Sequence, residues 1–362
     1  MTLRSKRLLW GRWQRLLRWE FWPVWAVYPP VLVSWLWHSI RLRGFTLWTN
    51  CNPAMKASGM AMEEKGDILD SFQEPESHIR LARYLRIRGG VDDALEQIDL
   101  FLEDHGLDFP LVLKPDLGQR GQGVGIVKDR EAARFWIDHC DEGFLVQEYI
   151  AGLEFGVHWA KFPDEEKGRV TSLCGKYPQS VTGDGERTLE ELILSDDRAV
   201  LMAKYYFVKF KQSLDRVIGS GERFILVAIG THSRGAIFTD ERHLVTDGMC
   251  DAFDELGERF PGFNFGRYDV RVPSVEDLQA GRNIRVLELN GVMGEPAHIY
   301  QPGYPWRKGM SDLCGHFKLA AEIGAAWRRM GVDPPEAGDL LDLIRKHCDK
   351  NYLEVDEFER EI

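Results

Sequence analysis

The sequence predicts an α+β protein, and three observations carry that reading. FPLVLKPDLGQRGQGVGIVKD (109–129) is a short apolar run, a glycine-rich turn and a second apolar run, the pattern of a β-hairpin. GRYDVRV and RVLELNGVMGE, between Gly266 and Glu295, alternate apolar and polar residues across a turn-rich spacer and read as two neighbouring strands. Residues 4–19 and 313–330 instead repeat their apolar side chains at helical spacing.

From Arg4 to Trp19, Leu8, Leu9, Trp10, Trp13, Leu16 and Leu17 recur among Arg12, Arg15 and Arg18. Eight of the twelve tryptophans fall within the first 48 residues. Up to Arg43 there are eight basic residues against one acid, Glu20, so a chain of net charge −11 carries about −18 in its remainder. Residues 21–37 are uncharged and mostly apolar, but Pro23, Pro29 and Pro30 interrupt them. A spanning helix needs ~20 apolar residues, and broken backbone is costly in lipid. Tryptophan, arginine and interrupted amphipathic helices suit the bilayer interface. The expectation is a membrane-surface segment over 1–45 that binds anionic lipid through residues 1–43. A dimer or lobe-packing helix, and a span or re-entrant hairpin, are the alternatives.

Residues 46–105 form a preceding lobe. Trp48 to Asp70 is turn-rich before a helix, and Asn52–Pro53 with Ser58–Gly59 is a candidate anion-binding turn. Residues 81–105 read as helical, broken at Gly89–Gly90. In the hairpin, Gly118, Gly121, Gly123 and Gly125 allow the backbone to approach a ligand and aim N–H groups at phosphate; Lys114 ends the first strand beside them. Neither G-x-x-x-x-G-K-[ST] nor a helix-opening GxGxxG is present. FLVQEYIAGLEFGVHWA (144–160) is a strand, a polar hinge at Gln147–Glu148 and a continuation past Gly152; backbone there can bond adenine, and Glu154 is placed for ribose hydroxyls. On the last two strands Asp269 and Arg271 share a face, as do Glu288 and Asn290. Two carboxylates and an amide oxygen suit magnesium, which takes the rest of its shell from water and phosphate. Beyond residue 330, Pro334–Pro335 punctuates the chain before an acidic helical tail over 340–362.

Taken in this order, the motifs resemble the ATP-grasp superfamily, most nearly the carboxylate–amine ligases that include D-alanine–D-alanine ligase, glutathione synthetase and cyanophycin synthetase. VTGDGERTLEELI (181–193) is similar to a segment of the cyanophycin synthetase and ribosomal-protein glutamate ligase branches, and THSRGAIFTD (231–240) to the glycine-bearing strand that follows it. The resemblance covers roughly 106–330 and implies an ATP-grasp fold, two α+β subdomains clasping ATP. It implies that Lys114 and Lys176 contact the α- and β-phosphates while Gly121, Gln122 and Gly123 close over the γ-phosphate. Gln147, Glu148, Tyr149 and Ile150 would form the adenine hinge, with Glu154 at the ribose. Asp269, Glu288 and Asn290 would hold Mg²⁺ or Mn²⁺, and Arg267, with Arg271 on the same strand, would act at the reacting centre. The family's usual earlier phosphate-binding lysine has no evident counterpart in HIRLARYLRIRGG (78–90); Arg80, Arg83, Arg86 or Lys65 are the candidates.

The reaction so implied joins a carboxylate to an amine through an acylphosphate and needs no protein nucleophile, in keeping with the lack of G-x-S-x-G. The alternatives are phosphotransfer to a hydroxyl and a nucleotide-binding adaptor without catalysis. The acidic balance argues against nucleic acid as a partner. The six scattered cysteines, without CxxC, suit reduced thiols in the cytosol, and with the N-terminal segment the expectation is a cytoplasmic protein, peripheral on the inner face of the cell membrane. A homodimer is compatible with all of this.

Overall fold

A computed structural model describes residues 2–72, 78–88, 93–118, 121–140 and 142–349. The expected tail beyond 349 and the Gly89–Gly90 break lie outside them. The chain opens with three helices, α1 (Leu3–Leu17), α2 (Val24–Val27) and α3 (Pro29–Leu42). Pro29 and Pro30 stand at the first turn of α3, where a missing N–H costs nothing, so the prolines divide the apolar run into separate helices. Among the described residues no helix is long and apolar enough to cross a membrane.

A turn-rich stretch leads to α4 (Lys65–Asp70), then β1 (Ile79–Leu81), β2 (Tyr84–Ile87) and α5 (Ala94–His105). The helix expected from residue 81 is therefore wrong at its start: 79–87 is extended and gives one strand to each of two sheets. Next come β3 (Leu111–Pro115), β4 (Gly125–Val127), α6 (Arg130–Ile137) and β5 (Phe144–Glu148). Order β2-β5-β3-β4 makes an antiparallel four-stranded sheet, and its apolar face packs with α5 and α6 around Ile98, Phe101 and Trp136. Asp129 caps α6 by accepting from the Ala132 N–H at 2.8 Å.

The second sheet is larger, with order β1-β12-β11-β6-β7-β10, from β6 (Leu153–Ala160), β7 (Arg169–Tyr177), β10 (Ile237–Asp240), β11 (Phe265–Val272) and β12 (Ile284–Asn290). The expected pairing of the last two strands holds: they are antiparallel, with Asp269 opposite Glu288 and Arg267 opposite Asn290. A bulge between Asp269 and Val270 puts Arg271 opposite Arg285. The polar hinge at 147–152 is where the chain leaves the small sheet on β5 and enters the large one on β6. Gly152 sits at φ +123° there, and a Cβ would collide with the Val272 carbonyl.

A third unit holds β8 (Gln179–Thr182), α7 (Leu189–Ser195), α8 (Ala203–Lys209) and β9 (Arg223–Val227). Thr188 and Glu191 form a reciprocal capping box at α7, as the T-x-x-E spacing dictates. Of THSRGAIFTD only 237–240 is strand; His232–Arg234 is a single 3₁₀ turn. α9 (Asp247–Glu258) covers the large sheet through Met249, Phe253 and Leu256, α10 (Val275–Gln279) fills the spacer before β12, and α11 (Trp306–Arg329) and α12 (Ala337–Asp349) follow.

The N-terminal helices lie on this body. α1 packs beside α7, where the Arg7 guanidinium donates to the Leu194 carbonyl at 2.6 Å. Trp19, Val27 and Val31 are buried against Leu313 and Phe317 of α11, and the Trp19 indole donates to the Tyr304 carbonyl at 2.7 Å. The lobe-packing alternative is thus correct for the inner face of the segment. Its outer face carries Leu17, Trp25, Val33, Trp37 and Ile40 at 61–79% exposure.

Candidate functional site

The two sheets face each other across a cleft of about 660 Å³, a size typical of small-ligand sites. Lys114, on β3, is buried, and its ammonium donates to Gln147 Oε1 at 3.0 Å and to the Leu287 carbonyl at 3.1 Å. Burial pushes its pKa down to about 8, although Glu288, Asp269 and Asp116 pull the other way. Lys65, the first residue of α4, donates to the Gly118 carbonyl at 2.9 Å and to the Pro115 carbonyl at 3.2 Å. Its pKa is lowered by burial against Glu288, Asp116 and Glu63.

Of the four candidates for the earlier cation, Lys65 alone lines the cleft. Arg86 is held outside it by Glu64, Asp67, Asp70 and Asp116. The Arg83 guanidinium donates to the His105 carbonyl, and Arg80 is exposed on β1.

The hairpin folds over this end. Gly121 is left-handed at φ +73°, and a Cβ there would stand 2.6 Å from Thr231 Oγ1, so the loop already touches the large subdomain. Gln122 lines the cleft, and its buried Oε1 has no hydrogen-bond partner. Gly123 does not line it; its carbonyl accepts from the Trp136 indole at 2.9 Å, turned toward the core.

At the hinge the Glu148 carboxylate accepts from the Arg83 N–H at 2.8 Å, and the Glu148 N–H donates to the Arg83 carbonyl at 2.9 Å. Arg271 lies at this hinge. Its guanidinium donates to the Ile150 carbonyl at 2.5 Å, pairs with Glu154 at 3.0 Å and lies over the Tyr149 ring at 5.3 Å. Glu154 also meets Lys176 at 3.4 Å, Lys176 meets Asp269 at 2.9 Å, and Asp269 meets Arg267 at 2.9 Å. The result is a run of alternating charge, Arg271–Glu154–Lys176–Asp269–Arg267, along β6, β7 and β11. Burial alone would raise the Asp269 pKa, but Arg267 and Lys176 hold it below the ordinary value. Burial likewise opposes the charge on Lys176, and Asp269 and Glu154 outweigh it, raising that pKa.

Asp269, Glu288 and Asn290 all line the cleft, and the Asn290 amide donates to Asp269 Oδ2 at 3.4 Å. Among the described residues no group of three or more His, Cys, Asp or Glu side chains is gathered for a metal. Two carboxylates beside an amide nonetheless fit a hard divalent cation that draws its other ligands from phosphate and water.

Two features escaped the sequence. Glu63 lines the cleft, and burial followed by the neighbouring Glu288 pushes its carboxyl up to about 8. Nothing in MEEKGD distinguishes it from a solvated charge run. The second is that Arg15, Glu20, Phe21, Trp22, Val24 and Tyr28 form part of the wall. Glu20 pairs with Arg198 at 2.7 Å and His232 at 3.3 Å, and Tyr28 donates to Glu295, whose backbone carbonyl accepts from Arg267 at 3.0 Å. At the candidate anion-binding turn of Asn52–Pro53 and Ser58–Gly59, Gly59 lines the cleft, whereas Asn52 and Ser58 are engaged within the protein. Asn52 Oδ1 accepts from the Asn264 and Phe265 N–H groups, both at 2.8 Å, and the Asn52 N–H donates to Ser58 Oγ, so the turn fastens the preceding lobe to β11.

Residues 86–155 match the model of the RimK-like ATP-grasp domain. A comparison with curated proteins finds no significant match. Among solved structures, a bifunctional glutathione synthetase from Pasteurella multocida is 14% identical with a TM-score of 0.37; the match covers 71% of this chain and 38% of that one. D-alanine–D-alanine ligase from Bacillus anthracis is 13% identical with a TM-score of 0.43, covering 77% and 72%. The corresponding ligase from Coxiella burnetii is 12% identical with a TM-score of 0.41, covering 82% and 64%. The chain therefore spans little more than a third of the synthetase, and likenesses this distant say nothing of substrate. Two sheets joined at the hinge enclose the cleft, and residues 86–155, on the small sheet's side of it, are related to the RimK-like ATP-grasp domain.

Proposed function

We propose that the protein is an ATP-dependent ligase joining a carboxylate to an amine, with the catalytic unit over about 106–330. The observation that supports this best is the alternating charge run of Arg271, Glu154, Lys176, Asp269 and Arg267, facing Lys114 and Lys65 beneath a glycine hairpin. Such a surface can hold a polyphosphate and offset the charge that develops when a carboxylate oxygen attacks the γ-phosphorus. Lys65, Lys114 and Lys176 neutralise phosphate oxygens, and the hinge at 147–150 with Glu154 orients the nucleoside. A divalent cation held by Asp269, Glu288 and Asn290 would screen the phosphates. Arg267, fixed by Asp269 and the Glu295 carbonyl, faces the acylphosphate carbon and stabilises the oxyanion formed on amine attack. The hairpin excludes water that would hydrolyse the acylphosphate.

The reading places the protein at the inner face of the cell membrane, docked on anionic lipid by its N-terminal segment. In support, exposed Leu17, Trp25, Val33, Trp37 and Ile40 share that segment with exposed Lys6, Arg12, Arg41 and Arg43, and the rest of the chain is acidic. Hydroxylamine tests the chemistry. With ATP and the correct acid it should trap the acylphosphate as a hydroxamate, whereas a stable phosphomonoester and no amide would replace the ligase with a kinase.

A further inference from the structure

We propose that the amine substrate is an amphiphile, its ammonium received by Glu63 and its apolar portion lying on Phe21, Trp22, Val24 and Tyr28 of the N-terminal segment. This rests on the ligase reading above and adds the substrate class.

The cleft has two unlike ends. One is the hinge, closed by Gln147, Tyr149 and Leu287. The other is an apolar wall that the N-terminal segment supplies and that Tyr28 ties to Arg267 through Glu295; Met60 and Met293 also line the cleft. Trp22 is 37% exposed and Val24 53%, so this wall is neither core nor sealed. A small hydrophilic amine would leave it wet; an alkyl or acyl chain would cover it. Glu63 supplies the polar counterpart. It lines the same cleft and, among the described residues, makes no hydrogen bond or ion pair, though Lys65 is near enough to attract it; of the cleft's other carboxylates Glu20, Glu148, Glu154, Asp269 and Glu295 are each taken by a partner, and Glu288 is assigned to the divalent cation above. A carboxylate out of bulk water without a partner favours a cationic ligand. Continuity supplies the route: Trp25, directly after the wall residue Val24, is 79% exposed on the outer face. The short stretch from Phe21 to Trp25 therefore belongs to the cleft at one side and to the apolar exterior at the other, and an amphiphile in the bilayer can reach the cleft without its chain crossing bulk water.

The test is a calorimetric titration of the full chain, first with Mg²⁺ and a non-hydrolysable ATP analogue, then with n-decylamine, n-butylamine and 1-decanol below their aggregation limits. Decylamine should bind at least tenfold more tightly than butylamine and at least fivefold more tightly than decanol. Glu63→Gln should abolish the preference of amine over alcohol. Trp22→Ser with Val24→Ser should cut the advantage of the longer chain at least fivefold, circular dichroism confirming the fold, and Trp37→Ser on the outer face should leave that advantage intact. Equal binding of decylamine and decanol by the unaltered protein overturns the proposal. So does a chain-length advantage that survives the double substitution or disappears with Trp37→Ser, since the ligand would then lie elsewhere. Failure of the ATP analogue to bind refutes the nucleotide reading itself, whereas normal binding of the analogue with no amine preference refutes only the amphiphile.

Discussion

Lys114→Met should make the empty protein more stable at neutral pH and a far poorer nucleotide binder. The ammonium is buried, and its pKa of about 8 lies some 2.5 units below the ordinary 10.5. At 1.36 kcal/mol per unit, keeping it charged at pH 7 costs the fold ~3 kcal/mol. Methionine keeps the length of the side chain and removes that cost. It also removes hydrogen bonds to Gln147 Oε1 and the Leu287 carbonyl, about 1 kcal/mol each, leaving a net gain on the order of 1 kcal/mol. The pH dependence carries its own sign. Because the folded pKa lies below the unfolded one, the unfolded chain binds more protons between them, and wild-type stability rises with pH over that window. The penalty is full below pH about 8 and vanishes toward the ordinary 10.5. Urea unfolding of both proteins at pH 7 and pH 10 should show the variant ahead at the lower pH and level or behind at the higher. Titrating groups not coupled to Lys114 are common to the two and cancel. Calorimetry at pH 7 should show ATP bound 10- to 150-fold more weakly, the ~1.5–3 kcal/mol of a hydrogen bond to a charged group. A variant less stable at pH 7, a gap that ignores pH, or unchanged ATP affinity would each refute the reasoning.

Glu288→Gln should leave the fold intact and remove Mg²⁺-dependent ADP release; retention of most turnover would move the cation site elsewhere. Asp269→Asn should behave alike, and because both act on one ion the double variant should be little slower than either single one. Asn52→Ala should destabilise by roughly 2–4 kcal/mol in urea unfolding, since it strands the buried Asn264 and Phe265 N–H groups; a loss under ~0.5 kcal/mol would show that water replaces the amide. Trp25→Ser with Trp37→Ser should reduce co-sedimentation with phosphatidylglycerol vesicles while unfolding is unchanged, and high salt should release the wild type only partly. Undiminished partition would reject the docking face. A monomer–dimer shift in the same variant would assign that face to a second copy of the chain. Point changes serve better than deleting residues 1–43, because Trp19, Val27 and Val31 are part of the core.

The legible parts of the sequence were those whose chemistry is local. The alternation in GRYDVRV and RVLELN specified two strands and their facing sides. The glycine spacing after Lys114 gave the hairpin. What stayed hidden depends on residues distant in the chain. IRLARYLRI has apolar positions that serve a helix or a strand, and only its docking on Ile284–Val286 and Phe144–Gln147 decides for strands. Glu63 and Lys65 gain meaning from Glu288 and Gly118, more than 50 residues away. The N-terminal tryptophans signalled an apolar surface without showing that Trp19 would face inward and Trp25 outward, because a helical repeat gives the period of a stripe and not its partner.

Asp269 has more suitors than it can serve at once. Without ligand it engages Lys176 and Arg267, and its oxygens are also those offered to a divalent cation. On the proposed reading an arriving cation would loosen Lys176, leaving its ammonium to Glu154 at 3.4 Å and to the nucleotide phosphates. The empty cleft thus keeps the charges of Lys176 and Arg267 offset by Asp269. Metal and nucleotide would then favour each other's binding, since each would take up the partner that the other sets free.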